Sequence, residues 1–286
     1  MTGWRTLEAA WSWEPSVVAG CALAAGGYIG LSGGRVAGRG WWFLSGVALL
    51  LLALASPLDV LGDRYLFSAH MLQHMLLVLV VPPLLILGLP PGWVRLALEH
   101  PGARRLERAL GRPAPAWVVG LGTVALWHWP APYNAALASP PVHVLQHLSF
   151  LGSGAVFWWP VCAPLRGLRM PPLGAVLYLL AAALASSGLG IALTVTPPGL
   201  YPAYLHPADP IGIAPLLRNA WGLTPEADQQ LGGLLMWVPG GLVYLTAILA
   251  TLGAWWREGE PDSAGERWAR AHGVGDAAFG RDLHGI

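Results

Sequence analysis

Two stretches of this chain repeat nearly the same five residues, HMLQH at 70–74 and HVLQH at 143–147. On a helix, residues four apart share one face, so each stretch sets two imidazoles side by side. One helix can offer two nitrogens to a single metal ion in this way, and bonds of about 2.0 Å let a second helix add one or two more. The candidate ligands are therefore His70, His74, His143 and His147, joined by His128 in the segment WHWPAPY. Imidazole suits copper, zinc, iron and nickel. Met71 and Met75 adjoin the first pair, Cys21 falls at a similar depth, and Met236 lies in MWVPGG. Soft sulfur beside imidazole favours copper, Cu(I) in particular, over magnesium or calcium.

A plainer account competes with this one. A single histidine near a membrane interface is commonly a hydrogen-bonded structural group, and methionine at helical spacing is more often packing than ligand. One HxxxH pair arises readily by chance. Two copies with Leu-Gln inside, each at the start of an apolar segment, favour function, because polar groups at membrane depth are costly and tend to mark it.

The elements that must hold these residues follow from composition. The chain has 286 residues, 55% hydrophobic and 11% charged, with 16 Trp against 5 Phe. Its mean hydropathy is +0.53. A helix needs about 20 apolar residues to cross a bilayer, and several runs of that kind are present. The expected fold is an all-α, polytopic bundle of seven transmembrane helices in one domain, residues 1–256. Its spans fall at about 16–31, 41–60, 66–89, 115–131, 145–164, 172–196 and 230–256, and a flexible cytoplasmic tail follows at 257–286. SGGRVAGRG, PPGWVRLALEHPGARRLERALGRP and APLRGLRMPP separate them with Gly, Pro and Arg, which end helices and prefer water. Pro82 and Pro83 are expected to kink the third helix, and Gly188 and Gly190 to interrupt the sixth.

Arginine carries the orientation, since the chain has no lysine. With the N-terminus outside, thirteen arginines fall on the cytoplasmic side and only Arg5, Arg64 and Arg218 outside. The positive-inside rule thus gives N-out and C-in. A formal net charge of +1 suggests no nucleic-acid partner. The N-terminal MTGWRTLEAAWSWEP is a poor signal peptide and reads as an external segment with interfacial Trp. Cys21 and Cys162 are expected near opposite faces of the membrane, which excludes a disulfide between them. All five candidate histidines gather at the outer level, whereas His100, His272 and His284 lie inside.

The longest outer loop, about 197–229, is rich in proline and is expected to cover the helix ends, with a short interfacial helix around 211–221. It offers Tyr201, Tyr204, His206, Asp209, Glu226 and Asp228. Asp228, at the start of the seventh helix, can accept the free N–H of a ligating histidine or act through the helix dipole, and capping is the default for TPEADQQ. The sequence has no GxSxG, HExxH, GxGxxG or GxxxxGK[ST], so an enzyme is not expected. Haem b held between histidines of two helices is the main competitor of a metal ion, although two histidines one turn apart cannot both serve one porphyrin iron, and no CxxCH is present.

Taken in order, FSAHMLQHMLL, VVPPLLILGLP, ALWHWPAPYNAAL, HVLQHLSFLGSGAVFWWP, LYPAYL and DQQLGGLLMWVPGGLVYL resemble the CtaG-type cytochrome c oxidase assembly factors of bacteria with caa-type oxidases. The resemblance runs from about Trp41 to Trp256. It implies a multi-pass protein of the bacterial plasma membrane, needed to form active oxidase, with a proposed part in copper delivery. It also implies that His70, His74, His128, His143, His147 and Asp228 belong to the family's pattern. The combined expectation is an assembly factor binding Cu(I) or Cu(II), first through His70, His74 and His147, then through His143 and His128. Asp228, Met71 and Met75 are auxiliary, and the copper-containing oxidase subunits and the lipid bilayer are its partners. A b-haem electron-transfer protein and a copper permease are the alternatives.

Overall fold

A computed structural model describes residues 10–259, and all regular structure among them is helical. Proline sets the boundaries. Most helices begin with Pro in their first turn, where its missing N–H costs nothing because the first amides have no intrahelical partner. In chain order they are α1 (Pro15–Leu31), α2 (Arg39–Ala55), α3 (Pro57–Arg64), α4 (Phe67–Gly88), α5 (Pro91–Glu99), α6 (Pro101–Leu110), α7 (Pro113–Trp127), α8 (Pro130–Ala138), α9 (Pro140–Cys162), α10 (Pro172–Val195) and α11 (Pro225–Gly259).

Of these, α4, α10 and α11 are long and apolar enough to cross a membrane, and α2 with α3 makes a fourth if the pair counts as one bent span. α1 and α7 are shorter apolar helices. The expected span at 41–60 is broken. Ser56 is extended, and α3 leaves α2 at 47°. Pro57 is the cause, because its ring clashes with the carbonyl four residues back and forces the preceding residue out of the helical region. The freed Ala53 carbonyl accepts from Gln73 Nε2 at 2.9 Å. The fourth expected span also stops early: α7 ends at Trp127, and the chain turns through His128 into α8.

Pro82 acts similarly in α4. Residues Leu76–Val80 widen into a π-helical turn. The Val78 carbonyl, which would have accepted from residue 82, takes the indole N–H of Trp158 instead, at 3.1 Å. The expected interruption of the sixth helix at Gly188 and Gly190 is not seen, because α10 runs unbroken. Gly190 is a packing residue: a Cβ there would lie 2.9 Å from the Gly233 carbonyl of α11. Below the histidines, Phe157, Trp158, Tyr178 and Tyr244 form an aromatic core.

In the loop between α10 and α11, Pro202–Tyr204 is a 3-10 turn and Leu216–Ala220 a short π-helical segment, the latter within the stretch expected to be helical. Cys21 and Cys162 are free. Expectations for the first nine residues and for the tail beyond residue 259 fall outside the described residues.

Candidate metal centre

The site starts with the N-terminus of α4, which has no cap of its own. Its first amides are met from α11: Asp228 accepts from the N–H of Phe67 at 2.9 Å, from the N–H of Ser68 at 3.0 Å and from Ser68 Oγ at 2.6 Å. A carboxylate at the positive end of a helix is favourable. Arg218 stands 3.9 Å from the same carboxylate and donates to the carbonyls of Tyr65, Tyr204 and Leu223. The loop before α11 is thus fastened to the turn that carries His70. Asp228 has no hydrogen bond to a histidine among the described residues, so the expected role as acceptor from a ligand is replaced by capping of another helix.

α3 supports the same turn from the other side. A Cβ at Gly62 would lie 3.0 Å from the backbone of His70, so the lack of a side chain eases this close approach. The Gly62 carbonyl faces His70 Nδ1 at 3.1 Å, and Tyr204 Oη lies 2.9 Å from the same nitrogen. A carbonyl can only accept, which assigns the proton to Nδ1 and leaves Nε2 with its lone pair. Tyr204 also donates to Gly62 O at 2.8 Å and meets Tyr133 Oη at 3.1 Å. Burial raises the Tyr204 hydroxyl well above the usual tyrosine range, so it stays a donor.

The five expected histidines come together. Ring centroids are 4.1 Å apart for His70 and His74 and 4.0 Å for His143 and His147. Between helices the separations are 5.4 Å for His70 and His143, 5.7 Å for His74 and His147, and 6.2 Å for His70 and His147. His128 joins at 6.0 Å from His74. One nitrogen from each of His70, His74 and His147 falls within a 4.8 Å set, and so does a second set of Asp63, His70 and His143.

His128 donates from Nδ1 to Val124 O at 2.7 Å, which turns Nε2 toward Met71 Sδ at 3.3 Å. Two acceptors then face each other, as an imidazole and a thioether do when they share a cation. Met75, by contrast, points its methyl toward Gly240 of α11.

The donor set fits a small, imidazole-binding cation. His70 Nε2, both nitrogens of His74, His143 Nε2 and His147 Nε2 are buried without a hydrogen-bond partner. Buried polar atoms left alone cost roughly 1–3 kcal/mol each, and here they cluster in one place.

Two residues of the site, Asp63 and Tyr133, were not among the sequence-derived candidates, whereas Tyr201 was among the polar residues of the Pro-rich loop. Asp63 lies one residue beyond Gly62, Tyr133 sits 5.2 Å from the His70 ring, and Tyr201 donates to His128 O at 2.7 Å. The signal that marks Asp63 is the acid-bearing PLDVLGDR, separated from HMLQH only by YLFSA.

A protein-family model described as cytochrome c oxidase caa3 assembly factor matches residues 27–258. An uncharacterized protein of Mycobacterium leprae (strain TN) is 24% identical over 268 residues, covering 85% of this chain and 39% of its own length. Uncharacterized proteins of Mycobacterium bovis (strain ATCC BAA-935 / AF2122/97) and Mycobacterium tuberculosis (strain CDC 1551 / Oshkosh) are each 27% identical over 266 residues, covering 84% of this chain and 38% of theirs. The chain thus spans about two-fifths of the length of these relatives. No solved structure matches.

Proposed function

This chain belongs to the cytochrome c oxidase caa3 assembly factor family, and from that premise we propose that it is a non-catalytic membrane factor that carries copper toward the oxidase through the histidine cluster. Copper is here cargo. His70, His74 and His147 hold it first, His143 and His128 assist, and Met71 contributes a soft donor beside His128. Tyr204 and the Gly62 carbonyl orient His70 by holding its Nδ1 proton, a role that usually matters about 10- to 100-fold in metal affinity.

The observation that carries the reading is the convergence of five imidazoles whose buried nitrogens lack partners. A macrocycle is less well served. A porphyrin between His70 and His147 would occupy the volume of the neighbouring rings, with His74 5.7 Å from His147 and His143 5.4 Å from His70. The proposed setting is a bacterial plasma membrane, with seven passes, N-out and C-in. The arginine distribution supports this, and it turns the cluster toward the outer face. A permease is the second reading. The aromatic core beneath the cluster, where Trp158 is 1% exposed, argues against an ion path onward.

Metal analysis by mass spectrometry with an absorption spectrum tests the proposal on detergent-purified protein and on the His70→Ala, His74→Ala double variant. Near-stoichiometric copper lost in the variant supports it. A Soret band would move the protein to the cytochromes, and absence of both metal and haem would leave the histidines structural.

A further inference from the structure

The bend at Ser56 has a chemical result beyond packing, since it swings α3 so that Asp63 reaches the histidines. Resting on the reading of the cluster as a copper site, the geometry points to a second cation position made by Asp63, His70 and His143, through which the ion is exchanged with the deeper His70, His74 and His147 set.

Asp63 Oδ1 and His143 Nε2 lie 3.2 Å apart. Both atoms are buried and neither has a hydrogen-bond partner, so the contact is not a well-formed donor–acceptor pair. Two ligands of one ion with bonds of about 2.0–2.1 Å stand about 2.9–3.4 Å apart, which this separation matches. His70 completes the set within 4.8 Å.

Depth separates the two positions. The side chain of Asp63 is 34% exposed and that of His143 13%, whereas His70 and His74 are 0% and 3% exposed. Asp63 therefore straddles the boundary, with Oδ1 turned inward while the rest of the residue meets the exterior. A carboxylate with imidazole suits a partly hydrated cation at the surface, and an imidazole set suits one that has lost its water.

His70 belongs to both sets but has one nitrogen to give, because Nδ1 is engaged by Gly62 O and Tyr204 Oη. The two sets therefore take turns with one ion. Passing inward, the ion keeps its bond to His70, loses those to Asp63 Oδ1 and His143 Nε2, and gains those to His74 and His147. No electron moves, and the oxidation state of the metal is unchanged.

The test uses the full chain in detergent, loaded with one equivalent of Cu(I) and challenged with bathocuproine disulfonate, whose bulk and charge keep it outside the bundle. Absorbance of the coloured complex gives the extraction rate, and competition titration gives the affinity. Asp63→Asn is expected to slow extraction at least tenfold and by a larger factor than it weakens binding. His143→Gln should do the same, and Asp63→Glu should recover part of the rate. If Asp63→Asn does not fold, His143→Gln and Asp63→Glu decide the matter by the same comparison. An unchanged rate overturns the exchange position, as does a rate that falls only in step with affinity. Wild-type protein that takes up no copper overturns the copper reading itself, whereas copper that exchanges without regard to Asp63 removes only the second position.

Discussion

HMLQH and HVLQH differ at one letter, yet the fold treats them unlike. The first copy is fixed. His70 and His74 are 0% and 3% exposed, the helix start is held by Asp228, and His70 Nδ1 is held by Gly62 and Tyr204. Even its glutamine is used, with Gln73 Nε2 donating to Ala53 O and, at 2.7 Å, to Asp59. The second copy is half-buried, and its glutamine is not used in that way: neither side-chain atom of Gln146 has a hydrogen-bond partner among the described residues. On the proposed function, the two arms divide the work: one is pre-organised for affinity, and one is free to let go. The same motif supplies either, depending on its neighbours.

The sharpest way to break this contrast is to exchange the losses. The His70→Ala, His74→Ala pair should abolish stoichiometric copper, whereas His143→Ala alone should leave copper bound with affinity reduced about tenfold, since the inner set survives. Mass spectrometry and competition titration measure both, and equal losses would mean that the two arms are equivalent.

Next in size is the anchor of the fixed arm. Asp228→Asn weakens three hydrogen bonds to the start of α4 and should cost about 2 kcal/mol of stability, read from chemical unfolding in detergent. No counterpart exists on α9, whose first turn carries no side-chain cap.

A smaller effect is expected at Tyr204. Tyr204→Phe keeps the ring packed but removes the hydroxyl from His70 Nδ1 and should lower copper affinity about tenfold with little change in unfolding. A loss of stability with unchanged affinity would reduce Tyr204 to a packing role.

The least effect concerns the loop that covers the fixed arm. Although desolvation opposes it, donation from the Ile213 and Ala214 amides at 2.8 and 3.0 Å and from Tyr65 holds the Asp209 carboxyl below the usual carboxylate range. A folded-state value depressed in this way stabilises the loop above the ordinary carboxylate range and is lost as pH falls through the lowered one. Proteolysis within 205–215 should therefore increase only in acid, and Asp209→Asn should abolish that dependence.

Much of the site was legible before any coordinates. The HxxxH spacing placed two imidazoles on one face of each helix, the apolar runs identified the helical class, and His128, singled out after an apolar run, joins the cluster. What the residues could not reveal were the partners across sequence distance. Tyr204 meets His70 from 134 residues away, and Asp228 meets Ser68 from 160. Spacing correctly set Asp228 at the start of its own helix, but the carboxylate serves a different one. Pro57 was visible in ASPLDV, yet the run around it read as one span, because hydropathy averages across a break that a single missing N–H creates.

The sequence by itself determined a histidine-rich, all-helical membrane protein, since helical periodicity, apolar length and charge placement are local properties of the chain. Only the tertiary structure decided which nitrogen of His70 is free, that Asp63 joins the histidines, and that one copy of the motif is held while the other is not. Those outcomes depend on the close approach of α3 at Gly62 and on the capping of α4 from α11, contacts between segments that no local pattern encodes.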